Sequence, residues 1–190
     1  SGTSSSSTKL IHGGLRYLEH YKFRLVQESL KEREILLNMA PHIIWPMRFI
    51  LPHTKGMRPR WFLRLGLAIY DHLGYRKILP GTSNVNFASQ KTNSPLKDTF
   101  KSGFEYSDCW VDDSRLVILN AVDAASKGAS LRNYTKVTNA TSSNGLWIIS
   151  TKNSLNGKVE IVKAKAFVNA SGPWVDKVLK ESFKVKDSKN

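Results

Sequence analysis

The segment AFVNASGPW, from Ala166 to Trp174, carries the strongest indication of fold in this chain. Its first half, Ala166 to Ala170, is a short apolar run typical of a buried strand. Ser171-Gly172-Pro173 is a turn of small residues, after which a helix is predicted to begin at Trp174. A strand that enters a helix through such a turn is the arrangement with which α/β proteins hold a dinucleotide at the carboxyl end of a sheet. We therefore expect an α/β fold.

Helices and strands are also expected on the N-terminal side of this segment. Apolar residues at helical spacing indicate the helices, and short apolar or alternating runs between turn residues indicate the strands. Pro46 favours an edge strand, and the polar stretch Gly81–Ser102 is expected to be a loop. The element order indicates an α/β fold with an added antiparallel layer. The predicted helices are Lys22–Met39, Pro59–Gly74 and Asp112–Gly128, and the predicted strands are Ile43–Leu51, Leu131–Val137, Leu146–Ser150 and Lys158–Asn169, with a turn at Asn156-Gly157.

The first two helices are amphipathic. In Lys22–Met39 the charged residues, Arg33 and Glu34 among them, are assigned to the solvent-facing side. Pro59–Gly74 has basic residues at its ends and Trp61 near its start. It therefore suits either the surface of an anionic membrane or, as its apolar stripe favours, packing against a core.

The stretch SGTSSSSTKLIHGGLRYL, from Ser1 to Leu18, carries the most chemical information. Its hydroxyl residues precede Lys9 and an apolar pair, so hydroxyls and main-chain N–H groups could surround a phosphate at a helix start. Gly13-Gly14 allows the backbone to approach a flat or bulky ligand, and Arg16-Tyr17 offers a planar cation beside an aromatic ring. Composition leaves open the alternative of a flexible Ser-rich segment joined to an ordinary helix.

Composition and charge narrow the class of protein. The 190 residues, 41% of them hydrophobic, suffice for one medium domain or a large piece of a bigger protein. The 29 Lys and Arg against 15 Asp and Glu give a net charge of +14, which attracts phosphates, acidic lipid or nucleic acid. No nucleic-acid-binding motif accompanies this charge, so a nucleic-acid partner is not expected. The start at Ser1, without Met or a leader, predicts that the natural N-terminus lies upstream.

The cysteine count excludes internal disulfides and Cys-based metal centres, and the hydropathy argues against a membrane-spanning helix. Cys109 is the single cysteine, which excludes an internal disulfide and a Cys-based metal centre, and no metal is expected. No apolar run approaches the roughly 18 residues of a spanning helix. Any membrane contact is therefore expected to be peripheral.

Four stretches of the chain carry a resemblance to a known family, and they are SGTSSSSTKLIHGGLRYLEHYKFRLVQESLKEREILLNMAPHIIWPMRF, RPRWFLRLGLAIYDHLG, GFEYSDCWVDDSRLV and VNASGPWVD. On these residues the chain resembles the FAD-dependent (aerobic, respiratory) glycerol-3-phosphate dehydrogenases, the bacterial form more closely than the mitochondrial one. The resemblance implies an internal fragment of an FAD/NAD(P)-binding fold with part of an antiparallel cap layer. Residues 1–40 would hold the FAD loop and first helix, 41–110 a substrate-side excursion, and 111–190 the return to the FAD-binding domain.

The resemblance also implies an activity. sn-Glycerol 3-phosphate would be oxidised to dihydroxyacetone phosphate by hydride transfer to FAD, and the electrons would pass to quinone. The protein would be cytoplasmic, bound peripherally to the inner face of the cell membrane, and possible as a homodimer. The family's GxGxxG motif does not occur in the chain, so the chain by itself is expected to be inactive. Two alternatives remain, an oxidase that passes electrons to oxygen and a non-catalytic basic module that binds phosphate or lipid.

Site residues follow from the same resemblance, position by position. His12, Arg16 and Tyr17 would act on the substrate, with His12 favoured as a hydrogen-bonding residue over a general base. Ser6 departs from the many relatives that have Arg there. The residues implied for FAD binding are Thr3, Ser4, Ser7, Thr8, Lys9 and Leu10 around the pyrophosphate and flavin edge, His12, Gly13 and Gly14 beside the isoalloxazine, Val137 at the adenine, and Ala170, Ser171 and Gly172 near the phosphates.

Overall fold

The structure is a computed structural model that describes residues 2–74, 77–87, 96–97 and 99–183. The chain forms two compact units. The larger unit is Thr8–Asn120, and the smaller combines Ser1–Ser7 with Ala121–Asn190. In the described residues every strand pair is antiparallel. No helix among those residues is long and apolar enough to cross a membrane.

The larger unit contains a sheet built around one long strand. The central strand β4 pairs with β2 along one side and with β1 and β3 at different points of its other side. The pairing of β2 with β4 runs from Ile44 opposite Val111 to His53 opposite Ser102. Among the described strands β2 lies at an edge, as Pro46 predicts, because an edge strand tolerates a residue without an N–H donor. The elements of this unit are β1 (Leu10–Ile11), α1 (Phe23–Met39), β2 (Ile44–His53), α2 (Arg60–Leu73), β3 (Ser83–Asn86), β4 (Ser102–Val111) and α3 (Asp113–Ser126), which continues into the smaller unit.

Two apolar clusters stabilise the larger unit. One joins the end of α1 to β2 and β4, and the other packs α1 against α2. All three predicted helices are confirmed to within two residues at each end. The members of the first cluster are Leu37, Ala40, Ile43, Ile44, Leu79, Cys109 and Val111, and those of the second are Val26, Leu30 and Tyr70.

The smaller unit is a three-stranded meander with a helix beside it. The β5–β6 connection is the pair Asn144-Gly145, in which both residues have positive φ, and this geometry suits the twist of a tight hairpin. The predicted turn at Asn156-Gly157 is present between the next two strands. The rings of Trp147, Phe167 and Phe183 pack together. The elements are β5 (Thr135–Ser143), β6 (Leu146–Asn153), β7 (Val159–Ala164) and α4 (Val175–Ser182).

The strand predicted over Lys158–Asn169 is present as Val159–Ala164, but its continuation over Ala166–Ala170 is wrong. These residues form no regular element, and Val168 is 83% exposed. Phe167 is held instead by its aromatic neighbours. A five-residue apolar run shows that a segment can be buried in a sheet, but a strand also needs a neighbouring strand. The turn and helix after it are present as a 3-10 helix, Gly172–Trp174, followed by α4.

Three other elements differ from the sequence predictions. The first strand of the meander begins at Thr135 instead of Leu131 and continues to Ser143, because a turn with Tyr134 at φ 52° precedes it. The loop predicted over Gly81–Ser102 contains β3, although its residues 88–95 and 98 lie outside the described part. The central strand β4 was not predicted, since its sequence mixes polar and apolar residues on both faces.

Candidate functional site

A cavity of about 690 Å³ lies within the larger unit, where several predicted site residues meet. His12, Gly14 and Arg16 contribute to its lining, and so does Leu10. Its walls are mainly apolar, with aromatic rings supplied by α2 and the sheet. A large apolar cavity with a few polar groups is the usual form of a small-molecule site.

Arg16 is exposed and lies on a 3-10 helix, Leu15–His20. Within the described residues its guanidinium has no hydrogen-bonding or ionic partner, so its donors are available to an anion such as a phosphate. Tyr17 is 50% exposed and does not line the cavity. Its N–H donates to the Gly14 carbonyl at 2.8 Å, which ties the helix to the preceding loop.

Gly13 and Gly14 have different roles in the structure. Gly14 lines the cavity with φ 69°, a conformation that favours glycine, and so presents bare backbone. Gly13 is buried beneath the cavity, and its N–H donates to Tyr70 Oη at 2.8 Å. A Cβ at Gly13 would lie 2.6 Å from the Leu30 side chain. Gly13 is therefore a packing residue whose N–H is already used by the protein.

Tyr70 belongs to a buried polar network below this loop. Its hydroxyl donates to Asp108 Oδ1 at 2.8 Å, and Arg33 Nη1 donates to the same oxygen at 2.7 Å. Arg33 also donates to the Ser107 carbonyl at 3.1 Å and to Glu34 Oε1 at 3.2 Å. The network thus joins α1, α2 and β4 to the segment that contains Gly13.

Burial and charge shift the pKa values of this network. Burial raises the pKa of Asp108, whereas the hydrogen bonds from Tyr70 and Arg33 act to lower it. Burial, the largest single effect, disfavours the charged form of Arg33, but the hydrogen bond to Asp108 and the charges of Asp108 and its neighbours together outweigh it, so the pKa of Arg33 is raised. Burial and the charge of Asp108 raise the pKa of Tyr70 far above its ordinary value. At neutral pH Arg33 is therefore charged beside the Asp108 carboxyl, and Tyr70 is neutral.

Sequence reasoning missed this network. The sequence predicts Arg33 and Glu34 on the solvent-facing side of α1, but both side chains are buried, so that prediction is wrong. The spacing of Val26, Leu30 and Arg33 already places the guanidinium on the buried side of the helix. Its partner Asp108 lies in a strand that was not predicted, and only the fold brings the two together.

The hydroxyl stretch at the start of the chain does not form a cradle at an α-helix. Thr3–Ser6 is a 3-10 helix, and Leu10 enters strand β1, so the predicted helix start after Lys9 is wrong. Lys9 has φ 56° and its ammonium pairs with Asp113 Oδ1 at 2.7 Å. The side chains of Thr3, Ser4, Ser7 and Thr8 are exposed.

The remaining predicted site residues lie in the smaller unit. Val137, Ala170 and Ser171 line one cavity of about 260 Å³, although they are distant in sequence. Gly172 does not line it, and its φ of 56° starts the short 3-10 helix. Lys136 lines the same cavity and pairs with Glu181 at 3.1 Å. The Val137 carbonyl accepts a hydrogen bond from Ser182 Oγ at 3.0 Å.

In the parts of the chain that the structure describes, no group of three or more His, Cys, Asp or Glu side chains is placed to hold a metal ion. Burial raises the pKa of Cys109 to about 11.

Comparison with known proteins assigns this chain to a family. The sequence profile of the FAD dependent oxidoreductase (DAO) family matches residues 1–189. The chain is 58% identical over 178 residues to D-erythritol 1-phosphate dehydrogenase of Brucella abortus, which covers 94% of this chain and 36% of that protein. It is 56% identical over 173 residues to aerobic glycerol-3-phosphate dehydrogenase of Escherichia coli, covering 91% of this chain and 34% of that protein. It is 54% identical over 185 residues to glycerol-3-phosphate dehydrogenase of Pseudomonas tolaasii, covering 97% of this chain and 35% of that protein.

A solved structure agrees with the sequence relatives. Glycerol-3-phosphate dehydrogenase from Bacillus halodurans, complexed with FAD, superposes with a TM-score of 0.65 and 28% identity over 95% of this chain and 29% of that one. The chain therefore spans about a third of the length of the proteins it matches. The α/β dinucleotide-binding fold with antiparallel strands and the resemblance to glycerol-3-phosphate dehydrogenases are confirmed, and the chain belongs to the FAD-dependent oxidoreductase family.

Proposed function

We propose that the full-length protein oxidises sn-glycerol 3-phosphate to dihydroxyacetone phosphate with FAD and passes the electrons to quinone. The observation that carries this proposal is the exposed guanidinium of Arg16, which has no partner among the described residues and shares a cavity with His12 and Gly14. A planar guanidinium binds a phosphate dianion with two parallel hydrogen bonds. The names and high identity of the relatives support the same substrate class.

The larger cavity fits the flavin end of FAD. Its volume is about 690 Å³, its walls are largely apolar, and Gly14 turns bare backbone toward it. These properties suit a flat aromatic ring system that must be approached closely. The smaller cavity is assigned to the adenine and phosphate side, where Val137, Ala170 and Ser171 are accompanied by Lys136 and Lys177.

The residues of this chain bind and orient the reactants. When bound, FAD supplies the redox chemistry by accepting a hydride from the substrate carbon. Arg16 binds the phosphate group, and the ring of His12 orients the hydroxyl on the carbon that is oxidised. No described residue hydrogen-bonds the His12 ring, so nothing fixes its tautomer as an effective general base requires. His12 is therefore assigned to hydrogen bonding rather than to proton removal.

A second substrate is supported by a specific observation. D-Erythritol 1-phosphate dehydrogenase is 58% identical to this chain, at least as similar as the glycerol-3-phosphate dehydrogenases. Both substrates are polyol phosphates, so the phosphate contact of Arg16 serves either one. A four-carbon polyol would occupy more of the cavity beside the same hydroxyl.

The exposed side of α2 supports peripheral membrane binding at the cytoplasmic face. Trp61 is 68% exposed, and its ring packs edge-on against Phe62. Arg60 is the first residue of the helix and donates to Ser102 Oγ at 3.0 Å, and Arg58, just before the helix, pairs with Glu19 at 3.3 Å. Both side chains are exposed, so their remaining donors would contact anionic headgroups. Leu67 and Tyr70 on the opposite side are buried, so the helix serves both core packing and the exposed surface.

The experiment that tests the proposed activity is anaerobic addition of sn-glycerol 3-phosphate to the purified full-length protein, observed by visible flavin absorbance. Bleaching is the expected result. If the flavin is bleached only by D-erythritol 1-phosphate, that compound is the substrate instead of sn-glycerol 3-phosphate. A colourless protein, without bound flavin, would favour the non-catalytic module. Re-oxidation by a quinone analogue faster than by oxygen would support the dehydrogenase over the oxidase.

Arg16→Ala tests the phosphate contact. Loss of hydrogen bonds to a charged group costs about 1.5–3 kcal/mol, so KM should rise by about one to two powers of ten. FAD content should not change, because the phosphate of the substrate is a separate ligand. Arg24→Ala is the matched control, since Arg24 is an exposed arginine on α1 paired with Glu28 outside the cavity. An unchanged KM in Arg16→Ala would remove Arg16 from the substrate site.

A further inference from the structure

The buried network ends on the backbone of the segment that faces the larger cavity. Its final hydrogen bond runs from the Gly13 N–H to Tyr70 Oη at 2.8 Å. Gly13 lies between His12 and Gly14, which both line the cavity, whereas Gly13 does not. Tyr70 is 3% exposed and comes from α2, 57 residues away in sequence. A buried side chain from another element therefore holds the middle of this loop.

The direction of each hydrogen bond in the network is determined. Because the backbone N–H of Gly13 can only donate to Tyr70 Oη, the Tyr70 hydroxyl gives its own proton to Asp108 Oδ1 at 2.8 Å, an oxygen that also accepts from Arg33 Nη1. The hydroxyl oxygen is then left to accept, and the backbone N–H of Gly13 can only donate. The network consequently has one arrangement of protons, and the tyrosine oxygen is held as an acceptor for Gly13.

Packing prevents the loop from moving away from this acceptor. A Cβ at Gly13 would lie 2.6 Å from Leu30 Cγ and 2.9 Å from Tyr70 Cε2, so the backbone lies directly on these side chains. On the other side Gly14 is buried, and a Cβ there would lie 2.5 Å from the ring of Tyr17. Because a folded interior is close-packed, the hydrogen bond and these contacts together fix the position of the loop backbone relative to α1 and α2.

We propose that Tyr70 is a positioning residue of the site: its hydroxyl, oriented by Asp108 and Arg33, sets the position of His12 and Gly14 against the flavin and substrate. The inference rests on the proposed function for its catalytic consequence, while the structural part depends only on the network. A reacting group displaced by about 1 Å can lose a hundredfold in rate, so a single buried hydroxyl is enough to matter.

The test is Tyr70→Phe in the full-length protein, which removes the hydroxyl and keeps the ring that packs against Leu30. The first readout is hydrogen–deuterium exchange of peptides covering Leu10–Tyr17, measured without substrate. We expect faster exchange there, because the Gly13 N–H loses its acceptor. The second readout is the single-turnover rate of flavin reduction, which should fall by about tenfold or more, with KM changed much less because Arg16 is untouched.

Thr151→Val is the matched control. It also removes a buried hydroxyl, which donates to the Glu160 carbonyl in the smaller unit, while keeping the shape of the side chain. It should lower Tm without changing exchange in Leu10–Tyr17 or the rate of flavin reduction. A lower Tm by itself is therefore not expected to produce the faster exchange and slower flavin reduction expected for Tyr70→Phe.

The outcomes separate the inference from the proposed function. If exchange in Leu10–Tyr17 is the same in Tyr70→Phe and wild type, the inference is wrong whatever the activity. If the wild-type flavin is not reduced by the polyol phosphate, the proposed function fails, and the exchange result still decides the structural part. Should Tyr70→Phe not fold, exchange of the Gly13 amide in the wild-type protein serves instead, since an N–H held by the buried Tyr70 hydroxyl should exchange slowly although its neighbours line the cavity. Fast exchange of this amide would overturn the inference as well.

Discussion

At the scale of single residues, Gly13 shows how little freedom the site has. Its position is determined by Leu30 and Tyr70 beneath it and by the hydrogen bond to Tyr70 Oη. The two adjacent glycines are indistinguishable in sequence, yet one packs and the other faces the cavity. The difference lies in what each backbone contacts.

Gly13→Ala should destabilise the protein by about 1–3 kcal/mol, because the added methyl group would overpack the contact with Leu30. Urea denaturation measures the loss. Gly66→Ala, compared in protein without FAD because Gly66 lines the larger cavity, is the control: a Cβ there meets nothing within 4 Å, so the substitution should stabilise helix α2 by about 0.5–1 kcal/mol. Equal effects of the two substitutions would contradict the packing described for Gly13.

Cys109 should be unreactive in the folded protein. Its side chain is fully buried in the first apolar cluster, and burial raises its pKa to about 11, so at pH 8 the reactive thiolate is scarce. A chromogenic disulfide reagent should label it only after denaturant is added. Rapid labelling of the native protein would show that β4 opens easily.

At the scale of elements, β2 and β4 are joined by a charged pair as well as by their ladder. Arg48 Nη2 lies 2.9 Å from Glu105 Oε2, and Arg48 also donates to Ser107 Oγ and to the carbonyls of Pro80 and Gly81. This arginine therefore links the two strands to the chain before β3. The hydrogen bond from Arg48 lowers the pKa of Glu105.

Glu105→Gln tests the pH dependence of this pair. A lowered pKa means that the folded state favours the ionised carboxylate, so the stabilisation is present at neutral pH and is lost as pH falls below 4.5 through the lowered pKa. For a partly exposed pair we expect about 0.5 kcal/mol. The Tm difference between wild type and Glu105→Gln should shrink from pH 7 to pH 3. A difference that does not vary with pH would assign the effect to packing.

At the scale of the whole molecule, the charge of +14 and the exposed start of α2 predict binding to anionic surfaces. The full-length protein should sediment with vesicles that contain anionic lipid, less so as salt increases, and not with zwitterionic vesicles. Trp61→Ser should weaken this binding, whereas Tyr134→Ser, which changes a similarly exposed aromatic residue in the smaller unit, should not. Unchanged binding by Trp61→Ser would indicate general charge attraction instead of a surface on α2, because neither substitution alters the charge of the chain.

Local patterns in the sequence determined the helices, the tight turns and the family. The spacing of apolar residues in α1 and α2 and the pairs Asn144-Gly145 and Asn156-Gly157 act over a few residues, and the structure contains all of these elements. Val137, placed at the adenine by resemblance, and Ala170 and Ser171, placed near the phosphates, line one cavity, and their contact with FAD stays a prediction. Such features depend on backbone preference and short-range spacing, or on similarity along the chain, and need no knowledge of distant contacts.

Only the tertiary structure decided which strands have neighbours and which charges are buried. Ala166–Ala170 has the composition of a buried strand but pairs with no strand among the described residues, while β4, with its mixed composition, is the central strand. Arg33 and Asp108 are 75 residues apart, and their pairing turns two ordinary charges into the support for Tyr70 and Gly13. Strand pairing and buried ion pairs are long-range, because each residue is stabilised by a partner that its own sequence neighbourhood does not contain.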